Sequence, residues 1–269
     1  MPYNIVVLLK RVPDTESKIT IRDNAVVTEG LNFVLDPYGE YGLEKALQLV
    51  EQHGGKVTAV LFGPEDAKET IRKALAVGAD EAVHIVDVAL EGGDANATAH
   101  VLAAALKKIA AESVGGFDMV WSGKQAVDED NAQVPVRVAE LLDLPHVNSI
   151  IQFEINADGK SARCVREVDG ERDVMETTLP AILTAQQGLG EVRYPSLKGI
   201  MGAKKKPITD WNAAALGIDV ATVGKNGAQV EITSLEPPPA RPPGKIIPGD
   251  AVTAAQELAR LLREEAKVI

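Results

Sequence analysis

Residues 57–78 read VTAVLFGPEDAKETIRKALAVG, and this stretch decides the class of fold. Residues 57–62 are almost wholly apolar, as in a buried parallel strand, and a Gly-Pro pair closes the run. Residues 65–77 follow with apolar side chains at helical spacing, and Gly78 ends the helix. The stretch therefore predicts a strand and then a helix, the repeating unit of an α/β protein.

The same order recurs on both sides of this unit. Asp36-Pro37 predicts a further helix start, because Asp is a favoured N-cap and Pro suits the first turn. The predicted strands are residues 5–9, 57–62, 82–86 and 119–121, and further helices cover residues 96–111 and 131–142. We expect a doubly wound, mostly parallel sheet, with ligands beyond the carboxyl ends of its strands.

The pattern changes in the second half of the chain. Alternating runs and turn residues predict antiparallel strands at residues 150–155, 163–168 and 174–178, and an apolar strand at 181–185, at the sheet edge or in a small sheet beside it. Residues 187–207 and 210–219 show no regular period, and 230–235 could form a lone strand. The run PPPARPP at 237–243 must be extended, and residues 251–266 form an amphipathic helix.

Two domains follow from this division. Residues 1–187 form the α/β domain, and residues 188–269 form an extended C-terminal arm that either lies on another chain or packs back on its own domain. The lysines near residues 198–206 form either a solvated face or a docking surface.

Composition excludes several classes of function. The 269 residues carry a net charge of −11, which argues against binding nucleic acid or an anionic membrane surface. The sequence has no apolar run long enough to span a bilayer, and its start predicts a strand rather than a signal peptide. The single cysteine, Cys164, fits a reducing compartment, so we expect a cytoplasmic protein.

No catalytic or metal-binding motif stands out. The dinucleotide fingerprint, the Walker sequence and the nucleophile elbow are missing, and the four histidines are scattered. The remaining candidate is the loop 123–130, GKQAVDED, between a strand and a helix. It binds a phosphate at the helix start, with its acids capping the helix or pointing outward, or it is an ordinary capped turn. Residues 36–39 and the glycine-bearing turn 92–96 are further candidates.

Several motifs together resemble the beta subunit of electron-transfer flavoprotein over nearly the whole chain. They are Lys10-Arg11-Val12, Asp36-Pro37-Tyr38 (with Asp for the usual Asn), Phe62-Gly63-Pro64, residues 71–80, GKQAVD at 123–128, Arg166 to Gly170, LPAILTA at 179–185, and RYPSL at 193–197 followed by residues 200–206. Departures at Cys164, Asp173, Met175, Gly190 and Val192 are mild. The resemblance implies a Rossmann-like fold similar to that of adenine nucleotide alpha hydrolases.

The resemblance also implies an electron carrier subunit rather than an enzyme. A larger alpha subunit would hold the redox FAD, and this chain would hold AMP, or a second FAD in electron-bifurcating members. The residues that match the nucleotide site are Leu8, Asp36, Pro37, Tyr38, Gly39, Phe62, Gly123, Lys124, Gln125, Ala126, Val127, Asp128, Glu129, Asp130, Asn131, Ala132, Gln133 and Val134.

Two features bear on the choice between AMP and FAD. The resemblance implies that bifurcating members have glycine at the position of Glu129. The bulk and negative charge of Glu129 therefore favour AMP. The turn 92–98, GGDANAT, is similar to one in bifurcating members and favours FAD, although Ala95 replaces a threonine. We weigh Glu129 more heavily.

Partner docking is implied for the segment that follows Arg193. Leu197 would be the apolar anchor for acyl-CoA-type dehydrogenases, and a quinone-reducing acceptor would take the electrons onward. Nearby lysines would steer acidic partners. The docking residues are Leu197, Ile200, Met201, Lys204, Lys205 and Lys206.

Overall fold

A computed structural model describes residues 1–241 and 243–269, so position 242 of the predicted extended run lies outside the described residues. The strands are β1 (Tyr3–Leu9), β2 (Arg11–Pro13), β3 (Ile21–Arg22), β4 (Ala25–Val26), β5 (Phe33–Leu35), β6 (Gly55–Phe62), β7 (Glu81–Ile85), β8 (Met119–Gly123), β9 (His146–Ile155), β10 (Ser161–Val168), β11 (Glu171–Thr178), β12 (Ala181–Ala185) and β13 (Ile208–Trp211). The helices are α1 (Pro37–His53), α2 (Lys68–Val77), α3 (Ala95–Glu112), α4 (Val134–Leu142), α5 (Leu197–Ala203), α6 (Ala213–Leu216), α7 (Gly224–Gly227) and α8 (Ala251–Glu264), with 3-10 turns at Glu65–Ala67 and Val88–Leu90.

The main sheet has the strand order β11-β10-β9-β12-β8-β1-β6-β7-β13. Every pair from β9-β12 through to β7-β13 is parallel, and β9, β10 and β11 form an antiparallel edge. The chain moves from β1 to β6 and β7 on one side, and then returns to β8 on the other side of β1. The winding therefore reverses between β1 and β8, which is where doubly wound sheets bind ligands.

Two apolar cores cover the faces of this sheet. Leu43 of α1 and Ile71 of α2 belong to one core, and Leu102 of α3 and Val138 of α4 belong to the other. The central strands are buried on both faces, which explains their continuous apolar runs. The predicted doubly wound α/β fold is confirmed.

Individual predictions differ in their outcome. The Asp36 cap, the strands of the first half and the antiparallel edge are confirmed in place. β12 lies inside the sheet, between β9 and β8, rather than at its edge. α4 begins at Val134, not at residue 131, because residues 131–133 still belong to the loop, where Ala132 has φ of +52°.

Three expectations for the later chain are wrong. The irregular stretch 187–207 contains α5, and 210–219 contains the end of β13 and α6. Residues 230–235 form no strand. The Asp94 carboxylate accepts the N–H groups of Gln229 and Val230, and Ile232 is largely exposed, so a side chain rather than a neighbouring strand binds the start of this segment.

The chain divides into two compact units. The first contains residues 1–19 and 28–233, and the second contains residues 20–27 and 234–269. Residues 188–233 therefore lie in the first unit, where β13 extends the main sheet, and the domain division at residue 187 stays a prediction. In the second unit, α8 has no buried residue. Within the part of the chain that the structure describes, no helix is both long and apolar enough to cross a bilayer.

Candidate functional site

A cavity of about 240 Å³ opens at the point where the winding reverses. Leu8 near the end of β1, Phe62 at the end of β6 and Ser122 near the end of β8 line it. Since the carboxyl ends of these parallel strands meet at one edge of the sheet, their loops converge on the cavity. The site therefore lies where the fold alone would place a ligand.

Many of the predicted nucleotide residues line this cavity. They are Leu8, Asp36, Gly39, Phe62, Gly123, Gln125, Ala126, Glu129, Asn131, Ala132, Gln133 and Val134. The predicted residues outside the lining are Pro37, Tyr38, Lys124, Val127, Asp128 and Asp130. Lining residues absent from that prediction are Leu9, Lys10, Gly93, Asp94, Ala95, Thr98, Leu102, Ser122 and Pro135.

Two of the missed groups carried a signal in the sequence. Lys10 directly follows the first strand, at the carboxyl end of β1. Gly93 and Asp94 belong to the glycine-bearing turn before α3, which was a weaker candidate. Leu102 and Pro135 gave no such signal, because their side chains fit the ordinary apolar pattern of a helix.

Asp36 joins two elements beneath the cavity. Its side chain is buried; Oδ2 accepts the Gly39 N–H of α1 at 3.0 Å, and Oδ1 accepts the Val127 N–H of the 123–133 loop at 2.9 Å. Burial raises the pKa of the Asp36 carboxyl, and the two backbone hydrogen bonds partly oppose that rise. The residue that caps α1 thus also fixes the loop.

Gly123 lets the loop leave β8 close to α1. A Cβ at this position would lie 2.6 Å from the Tyr38 Cβ and 2.8 Å from the Gly39 nitrogen. Any larger residue would push the start of α1 away from the sheet. The glycine is therefore required by contact rather than by backbone conformation.

The start of α4 is not capped by the side chain of its own N-cap residue. Gln133 is the N-cap residue, but its side chain makes no capping hydrogen bond, and a proline occupies the first turn. Instead, the Gln133 Oε1 accepts from Arg137. Uncapped N–H groups and the positive end of the helix dipole favour an anion such as a phosphate.

The acidic side chains of the 123–133 loop fall into two groups, those outside the cavity lining and one within it. Lys10 Nζ lies 2.9 Å from Asp128 and 3.4 Å from Glu129, and Gln125 donates to Asp130. Asp128 and Asp130 lie outside the cavity lining, as a phosphate site would require. Glu129 lines the cavity, so its carboxylate remains close to any bound anion.

The opposite rim is formed by the turn before α3. Asp94 Oδ1 caps α3 by accepting from Ala97, and Oδ2 accepts from the N–H groups of Gln229 and Val230. The hydrogen bond from Ala97, with those from the later segment, lowers the pKa of Asp94. A Cβ on Gly93 would meet the Gly224 carbonyl oxygen at 2.9 Å, so residues 224–230 lie directly over this rim.

The predicted docking residues lie in and after α5. Leu197, Ile200 and Met201 are exposed by 76%, 46% and 66%, and Lys204 and Lys205 are exposed. These five side chains are presented on one short, helical segment. The arrangement is compatible with a protein contact, because a cluster of exposed large apolar side chains is unusual on a free surface.

Lys206 differs from its two neighbours. Its Nζ donates to the carbonyl oxygens of Leu75, Gly78 and Ala79 at 3.0, 3.1 and 2.6 Å. These carbonyls lie at the C-terminal end of α2, where a cation is favoured by the helix dipole. The Lys206 amine therefore points toward the end of α2 and is bound there.

The described residues also bear on metal binding and on thiol chemistry. Within residues 1–241 and 243–269, no group of three or more His, Cys, Asp or Glu side chains could hold a metal ion. Cys164 is buried, and burial raises the pKa of its thiol to about 11, which disfavours the reactive thiolate.

Comparison with known proteins gives a family match. The family model described as "Electron transfer flavoprotein domain" matches residues 23–216. "Electron transfer flavoprotein subunit beta" of Bacillus subtilis (strain 168) is 41% identical over 269 residues, which cover 99% of this chain and 100% of the relative. Proteins with the same description from Syntrophomonas wolfei (38% identity, 100% of this chain, 99% of the relative) and Mycobacterium bovis (38%, 90% and 91%) are also similar.

Proposed function

The chain belongs to the electron transfer flavoprotein family, and we propose that it is the beta subunit of a heterodimeric carrier. In this role it performs no reaction of its own. It relays electrons from flavin dehydrogenases through an FAD that an alpha subunit mainly holds. The cytoplasmic location expected from the sequence remains a prediction.

The cavity at the winding reversal is the proposed site of AMP. The observation that carries this assignment is the meeting of Asp36, the 123–133 loop and the uncapped start of α4 around one cavity. The adenosine would lie against the apolar ends of β1 and β6. The phosphate would accept hydrogen bonds from backbone N–H groups of the 123–133 loop and of α4. Such a nucleotide supplies structural cohesion, not chemistry.

A second FAD is the alternative ligand, and it would make the protein part of an electron-bifurcating flavoprotein. One observation favours it, because Gly93, Asp94 and Thr98 of the turn before α3 line the same cavity. The Glu129 carboxylate opposes it, since a dinucleotide brings one more phosphate into reach of that charge. We therefore retain AMP as the first proposal.

The docking role is assigned to the surface of Leu197, Ile200, Met201, Lys204 and Lys205. Its exposed apolar side chains would bind acyl-CoA-type dehydrogenases, and its two lysines would raise the rate of encounter with acidic partners. A quinone-reducing protein is the proposed acceptor. Lys206 contributes to this surface by fixing it, because its amine is already bound to α2.

The second unit is proposed to pack on the alpha subunit. In α8, Leu258 is 48% exposed and no residue is buried, although apolar side chains recur at helical spacing. An amphipathic helix without a covered apolar face gains stability when another surface covers it. A stand-alone adenine-nucleotide module is a further alternative, and it would not need this contact.

Nucleotide analysis of the co-expressed heterodimer tests these proposals. Acid release followed by chromatography should give one FAD and one AMP for each heterodimer. Two FAD and no AMP would overturn the AMP assignment and support the bifurcating alternative. A stable, colourless chain that does not associate with an alpha subunit would overturn the carrier proposal and support the stand-alone module.

A further inference from the structure

The segment that carries Leu197 is fixed at its start by Arg193. The guanidinium donates from Nε and Nη2 to the two oxygens of Glu44, at 2.7 and 2.9 Å. It also donates from Nη1 and Nη2 to Glu51. Glu44 and Glu51 both lie on α1, and Glu44 is buried. One arginine therefore binds two carboxylates in fork geometry, which a lysine cannot reproduce.

The same segment is fixed at its end by a reciprocal pair of contacts with α2. Arg72 of α2 donates from Nη1 to the carbonyl oxygens of Ala203 and Lys206, at 2.6 and 2.7 Å. Lys206 in turn donates to three carbonyl oxygens at the end of α2. Each of the two side chains thus donates to carbonyl oxygens at, or just beyond, the C-terminal end of the other helix.

The middle of α5 lies directly on the backbone of α2. A Cβ at Gly199 would lie 2.2 Å from the Ala76 carbonyl oxygen, so only glycine permits this approach. α5 has seven residues, too few to be stable as an isolated helix. It is therefore held in shape by contacts at its start, middle and end, while Leu197, Ile200 and Met201 remain exposed.

We propose that Arg193 is a positioning residue that holds α5 as a preformed docking platform, with Arg72 and Lys206 as its counterparts at the other end. This inference rests on the proposed docking function of α5. A platform that is already ordered loses less conformational entropy when a dehydrogenase binds, so affinity rises without any new contact. Arg193 would therefore affect docking through Leu197, without touching the partner's flavin.

Hydrogen–deuterium exchange on the intact heterodimer measures the platform directly. In Arg193→Gln, we expect amides in residues 197–203 to exchange faster, while those of β1 and β8 stay unchanged. Arg193→Lys should rescue only part of the protection, because a single ammonium cannot reproduce the two-oxygen fork that the guanidinium makes with each of Glu44 and Glu51. Lys108→Gln is the matched control, because Lys108 forms an ion pair of similar exposure with Glu112 on α3. Unchanged exchange in residues 197–203 of Arg193→Gln would overturn the inference.

Electron transfer provides the functional measurement. A short-chain acyl-CoA dehydrogenase supplied with butyryl-CoA serves as the donor, and the heterodimer is the varied substrate. For Arg193→Gln we expect KM to rise about 5- to 20-fold with little change in kcat and in bound FAD. Glu51→Gln, which leaves the Glu44 pair intact, should give a smaller rise and serves if Arg193→Gln does not fold. A fall in kcat alone, at unchanged KM, would contradict a positioning role.

Leu197→Ala separates this inference from the docking proposal. If Leu197→Ala raises KM and the Arg193 variants do not, docking stands and positioning fails. If Leu197→Ala leaves KM unchanged, the docking proposal fails and the inference fails with it. If both raise KM, the double variant should raise it by less than the product of the single effects, because both changes act on one platform. Independent, fully multiplicative effects would argue against positioning through Leu197.

Discussion

The Asp36 carboxylate accepts the backbone N–H of Val127 at 2.9 Å, across 91 positions of the chain. The same carboxylate caps α1 through Gly39. One buried side chain therefore links the start of the first helix to the loop that leaves β8. This link explains how a cap that stabilises a helix can also shape the proposed nucleotide site.

Replacing Asp36 tests that link. Asp36→Ala leaves one buried N–H group, that of Gly39, and one partly buried N–H group, that of Val127, without an acceptor, so we expect a loss of about 1–3 kcal/mol in the free energy of unfolding. Nucleotide content should fall with it, because the 123–133 loop loses its attachment to α1. Urea denaturation and nucleotide release measure the two effects. Asp87→Ala is the control, because it removes the cap of the 3-10 turn Val88–Leu90 and a hydrogen bond from the Ala213 N–H outside the cavity lining, and it should retain its nucleotide.

Gly123→Ala tests the close contact of β8 with α1. The added Cβ would overlap Tyr38 and the Gly39 nitrogen, so we expect a loss of about 1–3 kcal/mol and weaker nucleotide binding. Gly202→Ala is the matched control, since a Cβ there meets nothing within 4 Å and alanine favours a helix. Thermal unfolding of both heterodimers makes the comparison. Equal melting temperatures for the two variants would show that the contact is not restrictive.

Glu129→Gln tests the charge at the edge of the cavity. Removing one negative charge near the phosphate should tighten AMP binding by about 2- to 10-fold, and the gain should shrink at high salt. Isothermal titration with AMP on heterodimer freed of its nucleotide measures both effects. Glu65→Gln removes an acid that is paired with Lys68 and lies outside the cavity lining, so it should leave affinity unchanged. A gain of equal size in both variants would indicate a general charge effect.

The three consecutive lysines should separate into two roles. Lys206→Met removes three hydrogen bonds to the end of α2, and we expect it to lower the free energy of unfolding by about 1–3 kcal/mol. Lys204→Met and Lys205→Met should leave stability within about 0.5 kcal/mol but slow association with an acidic dehydrogenase at low salt. Denaturation and stopped-flow mixing at two ionic strengths resolve the roles. Identical stability losses in all three variants would contradict this separation.

The ion pair of Arg193 with Glu44 should make stability depend on pH in a defined direction. Although burial alone would raise the pKa of Glu44, the Arg193 hydrogen bonds dominate and lower it below its usual 4.5. A lowered pKa contributes stability above about pH 4.5, and this contribution is lost as the pH falls through the folded-state value. Arg193→Gln should therefore cost about 2 kcal/mol at pH 7, discounted because Arg193 is one-third exposed.

The difference between the wild-type heterodimer and Arg193→Gln should begin to shrink as the pH falls below about 4.5, and it should vanish once the pH has passed the lowered folded-state pKa of Glu44, because the carboxylate that Arg193 binds is then protonated in the wild type as well. Urea denaturation at a series of pH values and a fixed protein concentration provides the measurement. A difference that stays constant with pH would show that the guanidinium acts through packing rather than charge.

Most of the fold could be predicted because its signals are local. The apolar run of β6, the cap at Asp36 and the glycine after α2 each act within a few residues. The GKQAVD loop was a candidate ligand loop because a strand and a helix flank it, and three of its residues line the cavity at the winding reversal. The start of α4 was placed too early, since nothing in the sequence around residues 131–133 marks the positive φ of Ala132.

The sequence alone determined the alternation of the main strands and helices in the first half of the chain and the carboxyl edge of the sheet as the place for a ligand. Only the tertiary structure decided which loop residues face that cavity and that Lys206 is directed into the chain. It also decided that α5 is a helix, because its order comes from contacts such as Arg193 with Glu44, 149 positions apart. A seven-residue segment has too little local propensity to fix its own conformation, so distant parts of the chain supply the stabilising contacts.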